Sequence, residues 1–202
     1  FVAFGSTRRP NVKAADDALL GALRDSGAPA VTLVAKSYDR HVDLALKTTL
    51  DENLAMIRDS ITHLRDEGQR VFLDAEHFFD GYRSNRAYAI EVVRVAAESG
   101  ADVIALCDTN GGTLTGRMSE IVKDARATLA ADAAAKEIVW GIHTHNDAEL
   151  AVANALAAVD AGVRHVQATI NGYGERTGNA NMVSVLAGLA LKTDHALLPE
   201  GG

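Results

Sequence analysis

Four times in this sequence a helical pattern of apolar residues stops at a glycine, and a β-branched run follows. Leu19, Leu20 and Leu23 lead to Gly27, and Leu54, Ile57, Ile61 and Leu64 lead to Gly68. Ile90, Val93 and Ala97 lead to Gly100, and Leu150, Ala153 and Ala157 lead to Gly162. A glycine just past the last turn adopts the left-handed conformation that ends a helix and redirects the chain. Helix, glycine and strand in repetition is the pattern of βα units. The strand candidates are Phe1–Phe4, Ala30–Ala35, Arg70–Asp74, Val103–Cys107, Ile138–Ile142 and His165–Ile170. They start about 33 residues apart, a usual size for one βα unit. Most are continuous apolar runs, which predicts strands buried on both faces of a parallel sheet.

Two architectures accept such a series, an open doubly wound sheet and a closed (β/α)8 barrel. A complete barrel takes about 250 residues; this chain has 202. Six units are present, so a barrel reading leaves two missing. The chain opens on Phe1 inside an apolar stretch, as if cut just before a strand. The expectation is a partial catalytic domain over residues 1–202. Either architecture places ligands at the C-terminal ends of its strands.

Composition excludes several classes of partner. Lys plus Arg number 20 against 27 Asp plus Glu, a net charge of −7, with no clustered basic run. That disfavours nucleic acid and anionic membranes. No apolar run approaches the roughly 18 residues that span a bilayer. The one cysteine, Cys107, has no partner for an internal disulfide, which suits a reducing, cytoplasmic setting.

Polar residues follow the strand candidates where ligands are expected. After the fifth comes His143-Thr144-His145-Asn146-Asp147. Residues two apart on an extended segment share a side, so both imidazoles can aim at one divalent metal. The alternative is two polar residues that end a strand and bond to neighbours. After the sixth comes Asn171 to Asn181, with Gly172, Gly174 and Gly178. Such a loop needs positive φ or close approach of its backbone, and an Asn carbonyl there can complete a metal site. It can equally cap the next helix through Asn179 or Asn181. After the third, Asp74 and Glu76 share a face, suited to acid–base work, to metal or to a solvated loop. After the fourth, Asp108-Thr109-Asn110-Gly111-Gly112 suits a substrate carboxylate or a plain tight turn.

Taken in order, Cys-Asp-Thr-Asn-Gly-Gly (107–112), His-Thr-His-Asn-Asp (143–147) and Gly-Tyr-Gly-Glu-Arg-Thr-Gly-Asn (172–179) resemble the metal-dependent acyl-CoA condensing enzymes and lyases. These are the isopropylmalate, homocitrate and citramalate synthases, with hydroxymethylglutaryl-CoA lyase as a relative. Phe4 to Pro10 and Asp74 to Tyr82 look most like the citramalate synthase branch.

The resemblance implies a (β/α)8 TIM barrel of which strands three to eight are present. The first two βα units and the C-terminal accessory and regulatory regions would be absent, and the chain alone would be inactive. It implies one divalent metal ion (Mn, Mg or Zn) on His143, His145 and Asn179, with an Asp after strand one. Glu76 would be catalytic, and Thr109, His41 and Asp74 would line the substrate pocket. The partners implied are acetyl-CoA and a small 2-oxo acid, pyruvate favoured, with a homodimer in the full-length protein. The family's Arg-Asp pair after strand one has no counterpart, since Arg8-Arg9 is followed by Pro10. Competing readings are a family lyase running the reverse cleavage, a non-catalytic fragment, and a metal-dependent amidohydrolase. Amidohydrolases carry their H-x-H on the first strand, whereas here it ends the fifth candidate.

Overall fold

The structure, a computed structural model, describes residues 1–197. Six parallel strands stand side by side in chain order: β1 (Val2–Ser6), β2 (Ala30–Lys36), β3 (Arg70–Glu76), β4 (Val103–Asp108), β5 (Val139–Thr144) and β6 (His165–Gln167). Between and after them run α1 (Ala18–Arg24), α2 (Asp39–His41), α3 (Leu50–Asp66), α4 (Phe78–Ser84), α5 (Arg86–Glu98), α6 (Thr115–Leu129), α7 (Ala133–Glu137), α8 (Ala151–Asp160) and α9 (Met182–Lys192). All-parallel pairing of consecutive strands, each joined through helix, is the order of a TIM barrel and not of a doubly wound sheet, whose strand order reverses. Gly27, Gly68, Gly100 and Gly162 all have positive φ, so the punctuation expected of them is real.

The core lies between strands and helices. Val31, Leu33, Val71, Leu73, Ile104, Leu106 and Ile142 point one way and are sealed by Ile57, Ile61, Val92, Val93, Met118 and Val122. The alternate strand residues, Phe4, Thr32, Asp74, Cys107 and His143 among them, face the other side and line a cavity. The expectation of strands buried on both faces holds for the central strands, where Thr32, Asp74, Ala105 and Cys107 are buried, and fails at the edge strands β1 and β6. Phe4 on β1 is 65% exposed, because none of the described elements covers it.

Three local readings are corrected. Leu19 is 44% exposed, while Leu20 and Leu23 face the core; Asp17 caps α1 and sets its phase by accepting from the N–H groups of Leu19 and Leu20. In α8 the buried side is Ala151, Asn154, Ala155 and Ala158, not Leu150, Ala153 and Ala157. An alanine-rich helix has little apolar contrast to fix its phase; here Asn154, buried and donating to the Thr113 carbonyl at 2.7 Å, fixes it. Finally, β6 stops at Gln167. Beyond it Thr169 is taken up by the returning loop, donating to Ala180 O and accepting from Met182 N.

Candidate active site

The C-terminal ends of β3, β4 and β5 and the loop after β6 enclose a cavity of about 700 Å³. Six of the seven residues singled out in the sequence line it: Asp74, Glu76, Thr109, His143, His145 and Asn179. His41 does not. It ends α2, edge-on to His77 at 4.4 Å and beside Tyr38 at 4.8 Å. Burial lowers its pKa, with the nearby His77 and Lys36 adding to the effect. Asp108, also expected at the mouth, is turned away. Its buried carboxylate accepts from the Thr113 hydroxyl at 2.8 Å and from Thr113 N at 3.3 Å, and burial raises its pKa.

His143 and His145 converge, their Nε2 atoms 3.0 Å apart. His143 ends an inward row of β5, and His145 continues the same side one step past the strand. Asn179 lines the same cavity because residues 179–181 fold back between the ends of β5 and β6. Asn179 bridges His145, Ala180 N donates to Thr144 O, and Asn146 N donates to Gly178 O. The loop that allows this uses its glycines as expected: Gly172 and Gly178 have positive φ, and Gly174 gives Asn179 its space. Arg176 ties the loop down, donating to both Asp147 oxygens at 2.7 and 2.8 Å and to the Thr109 carbonyl at 2.7 Å. Asn181 is the N-cap of α9, and Asn146 accepts from Ala151 N at the start of α8.

These residues fit a divalent cation. Burial lowers the pKa of His145, as do His143 and Arg176, and so favours the neutral imidazole that a metal needs. The Asn179 side-chain oxygen is buried with no hydrogen-bond partner, an expensive arrangement that a cation would relieve. Two imidazole nitrogens and one amide oxygen make a mixed donor set suited to Mn, Zn or Mg. Among the described residues no cluster of three His, Cys, Asp or Glu side chains stands close enough to hold a metal, so the set carries no anionic ligand.

Around that point stand the remaining groups. The Glu76 carboxylate is ion-paired with Lys36, directly opposite it in the β2–β3 register. Thr109 Oγ1 accepts from His77 N at 2.8 Å, which leaves its own hydrogen free to donate. Asp74 is buried, and burial raises its pKa against the hydrogen bond from Gln167 and the nearness of His143. Sequence reasoning missed Lys36 and Gln167. Both were visible as polar residues ending or interrupting apolar strands, and pairing is what gives each a role.

The HMGL-like family profile matches residues 3–197 of the chain. The (R)-citramalate synthase of Streptomyces coelicolor is 60% identical over 200 residues, covering 99% of this chain and 36% of that protein. The (R)-citramalate synthase of Aquifex aeolicus is 50% identical over 198 residues, covering 98% of this chain and 36% of its own length. The chain thus spans about a third of the curated relatives it matches. Among solved structures, the HMG-CoA lyase of Bacillus subtilis superposes with a TM-score of 0.74 at 16% identity, covering 94% of this chain and 61% of that one, a likeness of fold.

Proposed function

The chain belongs to the HMGL-like family, and from that premise we propose that its protein condenses acetyl-CoA with a small 2-oxo acid, pyruvate first, to give citramalate. The observation that carries this reading is the convergence of His143 and His145, in one cavity with Glu76, Thr109 and Asn179, whose side-chain oxygen has no hydrogen-bond partner. The likeness to (R)-citramalate synthases supports the choice of reaction, and a place in branched-chain amino-acid biosynthesis belongs to the same proposal. A cytoplasmic homodimer is part of the same reading; among the described residues no helix is long and apolar enough to cross a membrane.

His143, His145 and Asn179 would hold the cation. Bound there, a divalent ion supplies Lewis-acid polarisation of the 2-oxo acid's carbonyl. Thr109 donates its hydroxyl hydrogen to the substrate carboxylate and so orients the ketone. Glu76 moves the proton at the reacting centre, with Lys36 holding its carboxylate in place. Acetyl-CoA loses a proton from its methyl carbon, and that carbon attacks the ketone carbon to form the new C–C bond. The ketone oxygen takes up a proton, and hydrolysis of the thioester releases coenzyme A. The ring walls of the cavity, Phe4 and Tyr173, flank this centre with apolar surface.

The test is coenzyme A release by the full-length protein with acetyl-CoA and pyruvate, 2-oxoisovalerate or 2-oxoglutarate, under Mn²⁺ or Mg²⁺. Pyruvate should give the fastest release. Preference for 2-oxoisovalerate would move the protein to the isopropylmalate branch, and no release with any of the three would overturn the reading.

A further inference from the structure

The inner face of the sheet holds a polar chain that the proposed reaction leaves without a task. Gln167, on β6, lies in register with His143 on β5. Its Nε2 donates to Asp74 Oδ1 at 2.7 Å, and its Oε1 stands 2.9 Å from His143 Nδ1. Asp74 sits on β3, three strands away from β6 in the sheet. The residues that separate them in Asp74's row are Ala105 and Gly141. Both are small, and the His165 ring packs beside Gly141, its Cδ2 3.2 Å from where a β-carbon there would lie.

The polarity of this chain follows from what each group can do. A carboxylate oxygen accepts, so the Gln167 amide turns its NH₂ toward Asp74 and its carbonyl toward His143. A carbonyl also only accepts, so the proton of His143 sits on Nδ1 and Nε2 is bare. In the 3.0 Å contact between the two Nε2 atoms, His145 is then the donor. Its Nδ1 is left as a bare acceptor, in keeping with a buried Nδ1 that has no hydrogen-bond partner. The two imidazoles are therefore unequal: one has its lone pair ready, and the other must move its proton to Nδ1.

We propose that Gln167 is a positioning residue that presets His143 for a divalent cation, through a hydrogen-bond relay anchored on Asp74. The inference rests on the metal reading of His143, His145 and Asn179. It gives Asp74 a task distinct from direct contact with substrate. Partners of this kind fix the tautomer and ring orientation of a ligating histidine, and their loss commonly costs about 10–100-fold in metal affinity.

The experiment measures Mn²⁺ binding by calorimetry and histidine tautomers by ¹⁵N NMR, both on the metal-free full-length protein. Wild type should show His143 protonated on Nδ1 before any metal is added. Gln167→Leu should mix the His143 tautomers and weaken Mn²⁺ by about 10–100-fold. Asp74→Asn should do the same more mildly, because an amide neighbour no longer dictates which way Gln167 faces; it carries the test if Gln167→Leu fails to fold. Joining Asp74→Asn with Gln167→Glu rebuilds a donor, an acceptor and the Nδ1–H in order, and should restore both readouts. A purely structural role for Gln167 predicts no such rescue. If His143→Ala abolishes Mn²⁺ binding while Gln167→Leu binds as wild type does, the relay is overturned and the metal site stands. If His143→Ala itself binds Mn²⁺ unchanged, the metal site falls and the relay's purpose falls with it.

Discussion

The side-chain oxygen of Asn179 stands in the space a β-carbon on Gly174 would occupy; the two would be 1.9 Å apart. Gly174 does not have positive φ, so the backbone itself would accept a side chain and the obstacle is Asn179 alone. Gly174→Ala should therefore leave the fold intact while pushing the Asn179 amide out of place. Mn²⁺ affinity should fall by roughly the 10–100-fold typical of a disturbed ligand shell, with little change in thermal stability. Binding equal to wild type would remove Asn179 from the ligand set.

Glu76 is not part of that donor set, and its variants separate binding from chemistry. Glu76→Gln keeps the shape and loses the ion pair with Lys36 and the capacity to accept a proton. Turnover should fall by about 10²–10⁴-fold, the usual worth of a positioned acid or base, while Mn²⁺ affinity stays within about twofold of wild type. Loss of both together would make Glu76 a metal ligand instead.

Much of this architecture is legible in the sequence, and the reasons are local. Gly68 or Gly100 ends a helix whatever lies elsewhere, and Ile57, Ile61 and Leu64 mark a face that only one packing can bury. The site was readable for a similar reason: residues such as His143 and His145, two apart at a strand end, have their direction settled by the strand. What failed depends on contacts distant in sequence. The phase of α8 is set by Asn154 reaching Thr113, and the end of β6 by Thr169 joining the returning loop. His41 missed the cavity because α2 packs it against His77, a neighbour far along the chain. Gln167 needed both Asp74 and His143 in view before it meant anything.

The packing of α4 against β2's exit gives a stability test in which local preference and tertiary contact oppose each other. A β-carbon on Gly81 would meet the Ser37 carbonyl oxygen at 2.1 Å and Tyr38 Cα at 3.0 Å, both backbone atoms that cannot swing away. Alanine gains about 1 kcal/mol over glycine in a helix interior, yet Gly81→Ala should destabilise by about 1–3 kcal/mol from overpacking. Gly21, inside α1 with nothing near its missing β-carbon, is the control. Gly21→Ala should stabilise by about 0.5–1 kcal/mol. Urea titrations of both should give shifts of opposite sign.

The start of α1 makes stability depend on pH through Asp17. Burial would raise the pKa of this carboxyl, but the N–H and guanidinium of Arg9 and the N–H groups of Leu20 and Leu19 outweigh it, and the net shift is downward. A carboxyl whose pKa is lower folded than unfolded contributes stability that is fully present above the unfolded value, about 3.9. That contribution is lost as pH falls through the folded value. Asp17→Ala should cost about 1 kcal/mol at pH 7, the worth of a helix N-cap. Asp17→Asn keeps an oxygen to cap Leu19 and Leu20 but gives up the charge that Arg9 meets at 3.0 and 3.2 Å, so its loss should be smaller. The gap between wild type and Asp17→Asn should hold from pH 7 down to about 5 and close below about 4. Denaturant midpoints measured across that range decide it: a gap that stays constant into acid would mean that the Asp17 charge contributes nothing and that the cap alone stabilises α1.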